Sequence, residues 1–240
     1  PQINSCMSIL SVMENIVRRT EENLYENLSK KFYERRVVHK NMFGDKSNDN
    51  EYFMNSLWHR TVDGKELDEY DDDYTLAVGC SHTFGSGCST PWPWHIENCY
   101  NAGIPGASIY DMVDIAKAIY EEKPFKKLML FCPHAERLVV FKNGKDYALI
   151  PFNEGALKNY KYIDLDTKMY YNNREINHLS YFCEKENIEL KYVNSNSVRF
   201  LRNHKKLIID KASDNQHFGN KTQKNFATYM QNLEPQIKCS

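Results

Sequence analysis

Short unbroken apolar runs alternate along this chain with longer stretches in which apolar residues recur every three or four positions. Thr75-Leu76-Ala77-Val78 closes on Gly79, Tyr100-Asn101-Ala102 closes on Gly103, and Leu128 to Cys132 is stopped by Pro133. Each run has the pattern of a buried strand that ends at a turn. Ile188 to Val193 and Leu207-Ile208-Ile209 read as two further strands. Between them, Ile109, Met112, Ile115, Ala116 and Ile119 give Ser108 to Glu122 helical periodicity, and Tyr170 to Asn187 reads the same way. The last helix is expected from Asn220 to Leu233, stopping before Pro235. Arg137 to Phe141 and Tyr147 to Phe152 flank Asn143-Gly144, a hairpin signal. Strands that alternate with helices predict an α/β domain built on a mainly parallel sheet covered on both faces.

The first residues follow a different pattern. From Cys6 to Arg36 apolar positions (Ile9, Val12, Ile16, Leu24, Leu28, Phe32) recur at helical spacing among charged residues, and Asn41 to Asn50 has the composition of a linker. The expected division is a helical extension with its linker over residues 1–67 and the α/β domain over 68–240. Five of the six residues from Asp68 to Asp73 are acidic, which reads as a solvated turn at the domain entrance and not as a metal loop.

Composition narrows the function classes. The 31 basic and 32 acidic residues leave a net charge of -1, which gives no long-range attraction to nucleic acid or to an anionic membrane. Apolar residues are only 41% of the chain, but 16 Tyr and 12 Phe supply large buried areas for a core. No stretch reaches the roughly 18 to 20 consecutive apolar residues of a membrane span, and the start lacks the basic-then-apolar order of a secretory leader. The seven cysteines are odd in number and scattered, which suits free thiols in a reducing, cytoplasmic setting. Oligomeric state has no signal in the sequence.

Chemistry concentrates at two places. In an open α/β sheet ligands gather where strands end at their carboxyl edge, and Gly79-Cys80-Ser81-His82-Thr83-Phe84-Gly85 follows the first strand. Glycines on either side permit a tight backbone that exposes a serine hydroxyl and leaves its amide to donate. Serine needs a base to take its proton, and an imidazole serves when a carboxylate fixes its tautomer. Asp214-Asn215-Gln216-His217 supplies both groups just before the final helix.

In order and spacing these pieces resemble the blocks of the SGNH (GDSL-like) serine hydrolases over residues 74–231. Gly79-Cys80-Ser81-His82-Thr83 is similar to the first block, Asn101-Ala102-Gly103 to the second, and Asp214 with His217 to the Asp-x-x-His block. The resemblance implies a three-layer α/β/α sandwich of flavodoxin-like kind with five parallel strands, and ester cleavage without metal or cofactor. It implies Ser81 as nucleophile, His217 as general base and then acid, Asp214 as the group orienting His217, and the amides of Ser81 and Gly103 as oxyanion donors. The substrate class would be a small acyl ester or an O-acetylated carbohydrate. Two positions depart from the family pattern. Cys80 stands where an aspartate is usual, and Cys132-Pro133-His134-Ala135-Glu136-Arg137 replaces the Gly-x-Asn-Asp block whose asparagine gives the third oxyanion donor. His134 or Arg137 has the chemistry to substitute.

Competing readings attach to the same residues. Cys80, His82, Cys88, His95 and Cys99 carry zinc-ligand chemistry, although their spacing matches no common paired knuckle. Cys80 is the alternative nucleophile. His82 either lines the pocket or simply packs, and Trp92 and Trp94 either stack on a sugar or fill the core. A rival from another class is a non-catalytic carbohydrate-binding or structural module on the same fold.

Overall fold

Three of the apolar runs form adjacent strands of a parallel sheet in the computed structural model, which describes residues 52–57, 59–132, 137–142, 145–149, 164–194, 204–213 and 217–238. These are β1 (Thr75–Gly79), β2 (Cys99–Gly103) and β3 (Lys127–Cys132). A two-stranded antiparallel hairpin follows, β4 (Leu138–Lys142) and β5 (Lys145–Leu149), and β6 (Glu189–Asn194) closes the parallel sheet in the order β2-β1-β3-β6. Thr75 lies level with Cys99 on one side and Lys127 on the other, and Lys127 with Glu189. The chain steps from β1 outward to β2 and then back across to β3. Strand order therefore reverses at β1, and the crevice beyond its carboxyl end is where such sheets hold ligands.

Both faces of the sheet are buried, which is why β1 and β3 read as continuous apolar runs and not as alternating ones. Ala77, Met129, Phe131 and Val193 share one face and pack with Phe226, Ala227 and Met230 of the last helix, α4 (Asn220–Asn232), and with Phe218 just before it. The opposite parity (Leu76, Val78, Leu128, Leu130, Leu190) is fully buried as well. On the remaining elements, α2 (Ile109–Glu122) contacts β1, and α3 (Leu165–Lys185) contacts both α2 and β6. A one-turn helix, α1 (Ser81–Phe84), leaves β1 directly.

Helix starts follow their caps. Ser108 accepts from the Asp111 amide while the Asp111 carboxylate accepts from the Ser108 amide and hydroxyl, a reciprocal box that fixes the start of α2. α3 begins five residues before the periodicity suggests, because Asp164 accepts from the Thr167 amide at 2.7 Å and supplies a cap ahead of the apolar stripe. Lys168, Asn172, Ile176, Leu179 and Cys183 are the buried positions of that stripe.

Two expectations change. Leu207-Ile208-Ile209 is not a strand: Lys205–Leu207 forms a single 3-10 turn, and the Ile209 and Asp210 amides donate to the Thr222 hydroxyl of α4 at 2.9 and 3.0 Å. With those amides satisfied by a side chain, no ladder forms, and the parallel sheet has four strands among the described residues. The packed unit also extends upstream of residue 68. All described residues belong to one compact unit, Asn48–Ser240, and Arg60 is completely buried in it. Asn55 donates to the Tyr100 hydroxyl at 2.9 Å and His59 is hydrogen-bonded to the same oxygen at 2.6 Å. The helices expected within Cys6–Arg36 and the linker 41–50 lie outside the described residues. No described helix is long and apolar enough to cross a membrane.

Candidate active site

The turn after β1 is shaped by close backbone approach. Cys80 takes the cap position, α1 starts at Ser81, and Gly85 ends it in the left-handed region at φ 81°, where a glycine is the least strained residue. Gly103, at the end of β2, lies against the α1 backbone. A methyl group there would overlap the Phe84 amide and sit 2.7 Å from the Thr83 carbonyl carbon. The glycines at 85 and 103 thus let one turn of helix sit tightly on the strand ends.

The Ser81 side chain is buried, and its Oγ lies 2.8 Å from His217 Nε2, across 136 residues of sequence. With the ring proton on Nδ1, the hydroxyl donates to Nε2, the arrangement a nucleophile and its base require. The His217 carbonyl accepts from the Ala212 amide at 3.0 Å, and Phe218 bridges to Lys211, so the loop is pinned just before α4. His82 packs its ring on Phe218 (centroids 4.3 Å apart) and edge-on to His217 at 5.0 Å. Its position beside His217 follows from this packing. Asp214 and His134 lie outside the described residues.

Side chains from distant parts of the sequence hold this turn. Gln223 of α4 is fully buried; it accepts from the Trp92 amide at 2.9 Å and donates to the His82 carbonyl at 3.1 Å. Asn220 accepts from the Ser89 and Thr90 amides. The Trp92 indole donates to the Thr83 hydroxyl at 3.3 Å. Trp92 is fully buried in the core, and Trp94 donates to the Arg60 carbonyl. Arg60 donates to the carbonyls of Phe84, Gly85, Cys88 and Ser89. None of these holding residues carries a sequence motif. A buried arginine or glutamine looks in sequence like any surface one.

The two amides expected as oxyanion donors are unequal. No acceptor for the Ser81 amide is present among the described residues, whereas the Gly103 amide already donates to Asn101 Oδ1 at 3.0 Å. Gly103 would have to exchange that partner for a substrate oxygen. Asn101 Nδ2 is buried without a hydrogen-bond partner among the described residues. Arg137 is half-buried and donates to the Ala107 carbonyl at 3.3 Å, in the loop after β2.

The metal-type side chains go elsewhere. Cys80, Cys88, Cys99 and Cys132 are buried free thiols, and Cys88 donates to the Gly85 carbonyl. Burial pushes the Cys88, Cys99 and Cys132 thiols above their ordinary range. Among the described residues no three His, Cys, Asp or Glu side chains converge as a metal site.

No protein-family model matches the chain, and no curated protein is significantly similar to it.

Proposed function

We propose that the protein is a serine-dependent ester hydrolase of the SGNH kind, acting on a small acyl ester or an O-acetylated carbohydrate. The observation that carries this reading is the 2.8 Å contact between Ser81 Oγ and His217 Nε2, at the carboxyl edge of a parallel sheet whose order reverses at that strand. Each group alone has an ordinary structural explanation, a turn serine and a loop histidine. Their meeting at a ligand-binding edge favours nucleophile and base.

In the proposed mechanism, His217 Nε2 takes the hydroxyl proton as Ser81 Oγ attacks the ester carbonyl. The Ser81 amide, joined by the Gly103 amide once it leaves Asn101, stabilises the oxyanion. His217 then gives the proton to the departing alcohol, leaving an acyl-Ser81 intermediate. Water, deprotonated by the same imidazole, releases the acid. Asp214 is assigned the orienting role through its place three residues before His217, and Arg137 or His134 remains the proposed third donor.

The test is turnover of p-nitrophenyl acetate, longer p-nitrophenyl esters and an acetylated sugar, with Ser81→Ala and His217→Ala as controls. Hydrolysis that falls about 10³-fold or more in both variants is the expected result. Activity retained in Ser81→Ala would overturn the assignment. The absence of the third-block asparagine and the engaged Gly103 amide favour the rival, a non-catalytic carbohydrate-binding or structural module. Sugar binding without turnover by folded protein would select it.

A further inference from the structure

Arg60 is a fully buried guanidinium, and among the described residues no carboxylate lies within ion-pair distance of it. Leaving a charge in the interior without a counter-charge is expensive unless most of its protons are directed at acceptors. Nη1 donates to the Phe84 and Gly85 carbonyls at 3.1 and 2.6 Å, and Nη2 to the Cys88 and Ser89 carbonyls at 2.8 and 2.9 Å, while the buried Nε has no acceptor among the described residues. The Tyr52, Trp94 and Phe84 rings surround the cation at 4.3, 5.0 and 5.7 Å from their centroids. Burial lowers its affinity for the proton, yet an arginine stays charged.

Those four carbonyls belong to the exit of the turn that carries Ser81. A single helical turn does not hold itself, since its last carbonyls lack partners within the helix. Here the Gly85 and Ser86 amides both donate to the Ser81 carbonyl at 2.9 Å, while Gly85 in turn is fixed by Arg60 through its own carbonyl. Only one peptide separates the guanidinium from the nucleophile's backbone. Two nitrogens of a planar fork reach two pairs of carbonyls at once, which a lysine ammonium on a single stem cannot do.

We infer that Arg60 is a positioning residue for the proposed nucleophile: by clamping residues 84–89 it fixes the Ser81 backbone so that Oγ stays within reach of His217. The inference rests on the hydrolase reading for its kinetic consequence, and its geometric content is testable apart from it. Misplacing a reacting group by about an ångström typically costs up to about 10²-fold in rate.

The experiment compares wild type, Arg60→Lys and Arg60→Met in the full chain. Folding is checked by circular dichroism and thermal unfolding. The readouts are the rate of labelling by a fluorophosphonate, kcat and KM on p-nitrophenyl acetate, and the ¹⁵N chemical shift of His217 Nε2. The expected result is that folded Arg60→Lys labels about 10-fold or more slowly, loses kcat to a similar extent, and keeps KM within about twofold, because substrate contacts are untouched. Labelling and kcat equal to wild type in folded Arg60→Lys would overturn the inference. If neither variant folds, Tyr52→Leu, which loosens the cage around the guanidinium, is compared with Tyr52→Phe, which loses only the hydroxyl that accepts from the Gly87 amide at 3.0 Å. Slower labelling in Tyr52→Leu than in Tyr52→Phe at constant KM then supports the clamp, and equal rates overturn it. If wild type neither labels nor turns over, the hydrolase reading fails by itself. The His217 shift then decides the clamp: movement in folded Arg60→Lys toward the value in Ser81→Ala supports it, and an unmoved shift overturns it.

Discussion

Ser81 Oγ and His217 Nε2 lie 2.8 Å apart where Gly103 lets α1 rest against the end of β2 and Phe218, next to His217, packs on the His82 ring. The same residue-level logic governs His59, whose ring is completely buried beside the Tyr100 hydroxyl. Desolvation pushes its pKa from 6.5 down to about 4. The fold therefore favours the neutral imidazole, and the unfolded chain takes up the proton first as pH falls. The His59 contribution to stability is full above about pH 6.5, declines as pH drops, and is lost below about 4, a total on the order of 3 kcal/mol. The urea midpoint is expected to be lower at about pH 5 than at about pH 7.5, with a shallower difference in His59→Gln. An identical pH slope in that variant would assign the effect to other groups.

At the scale of elements, α4 does more than cover a sheet face. Its first turn carries Asn220 and Gln223, which bind the segment 82–92, and it follows His217 by three residues, so one helix ties His217 to the turn that carries Ser81. Gln223→Met keeps the volume but removes the acceptor of the Trp92 amide and one donor to the His82 carbonyl. A loss of about 1–3 kcal/mol for each buried group is expected in urea unfolding, together with a fall in kcat. Gly103→Ala forces β2 off α1 and is expected to lower stability by about 1–3 kcal/mol, as overpacking does, and to slow Ser81 labelling. A neutral result in both assays would show that the strand end tolerates a side chain.

Element types were largely legible because burial on both sheet faces leaves unbroken apolar runs, as in Leu76-Ala77-Val78 and Leu128 to Cys132. The early start of α3 was hidden since the Asp164 cap lies outside its apolar stripe. Leu207-Ile208-Ile209 misled for the opposite reason. The run is apolar, yet Ile208 is only half-buried, Ile209 is 58% exposed, and the neighbouring amides are taken by Thr222. Of the candidate site, Ser81 and His217 stood out by turn chemistry, and Gly103 only through the resemblance to the SGNH blocks. Arg60, Gln223 and Asn101 did not, because their roles depend on carbonyls and amides brought near only by folding.

For the whole molecule, the topology explains why a residue after the first sheet strand and a residue before the last helix share one edge. β1 lies between β2 and β3, so the strand order reverses at its carboxyl end, the position at which such sheets hold ligands. α4 packs across the face formed by Ala77, Met129 and Phe131, with its N-terminal end at the Ser81 turn. The central claim is that this convergence makes Ser81 a nucleophile activated by His217. Its most direct test is intact-mass and peptide-mapping analysis after treatment with a fluorophosphonate, on folded wild type, Ser81→Ala and His217→Ala. The account predicts one adduct, carried by Ser81, absent in Ser81→Ala and formed at least about 10³-fold more slowly in His217→Ala. An adduct on another residue, or none on folded wild-type protein, would contradict it.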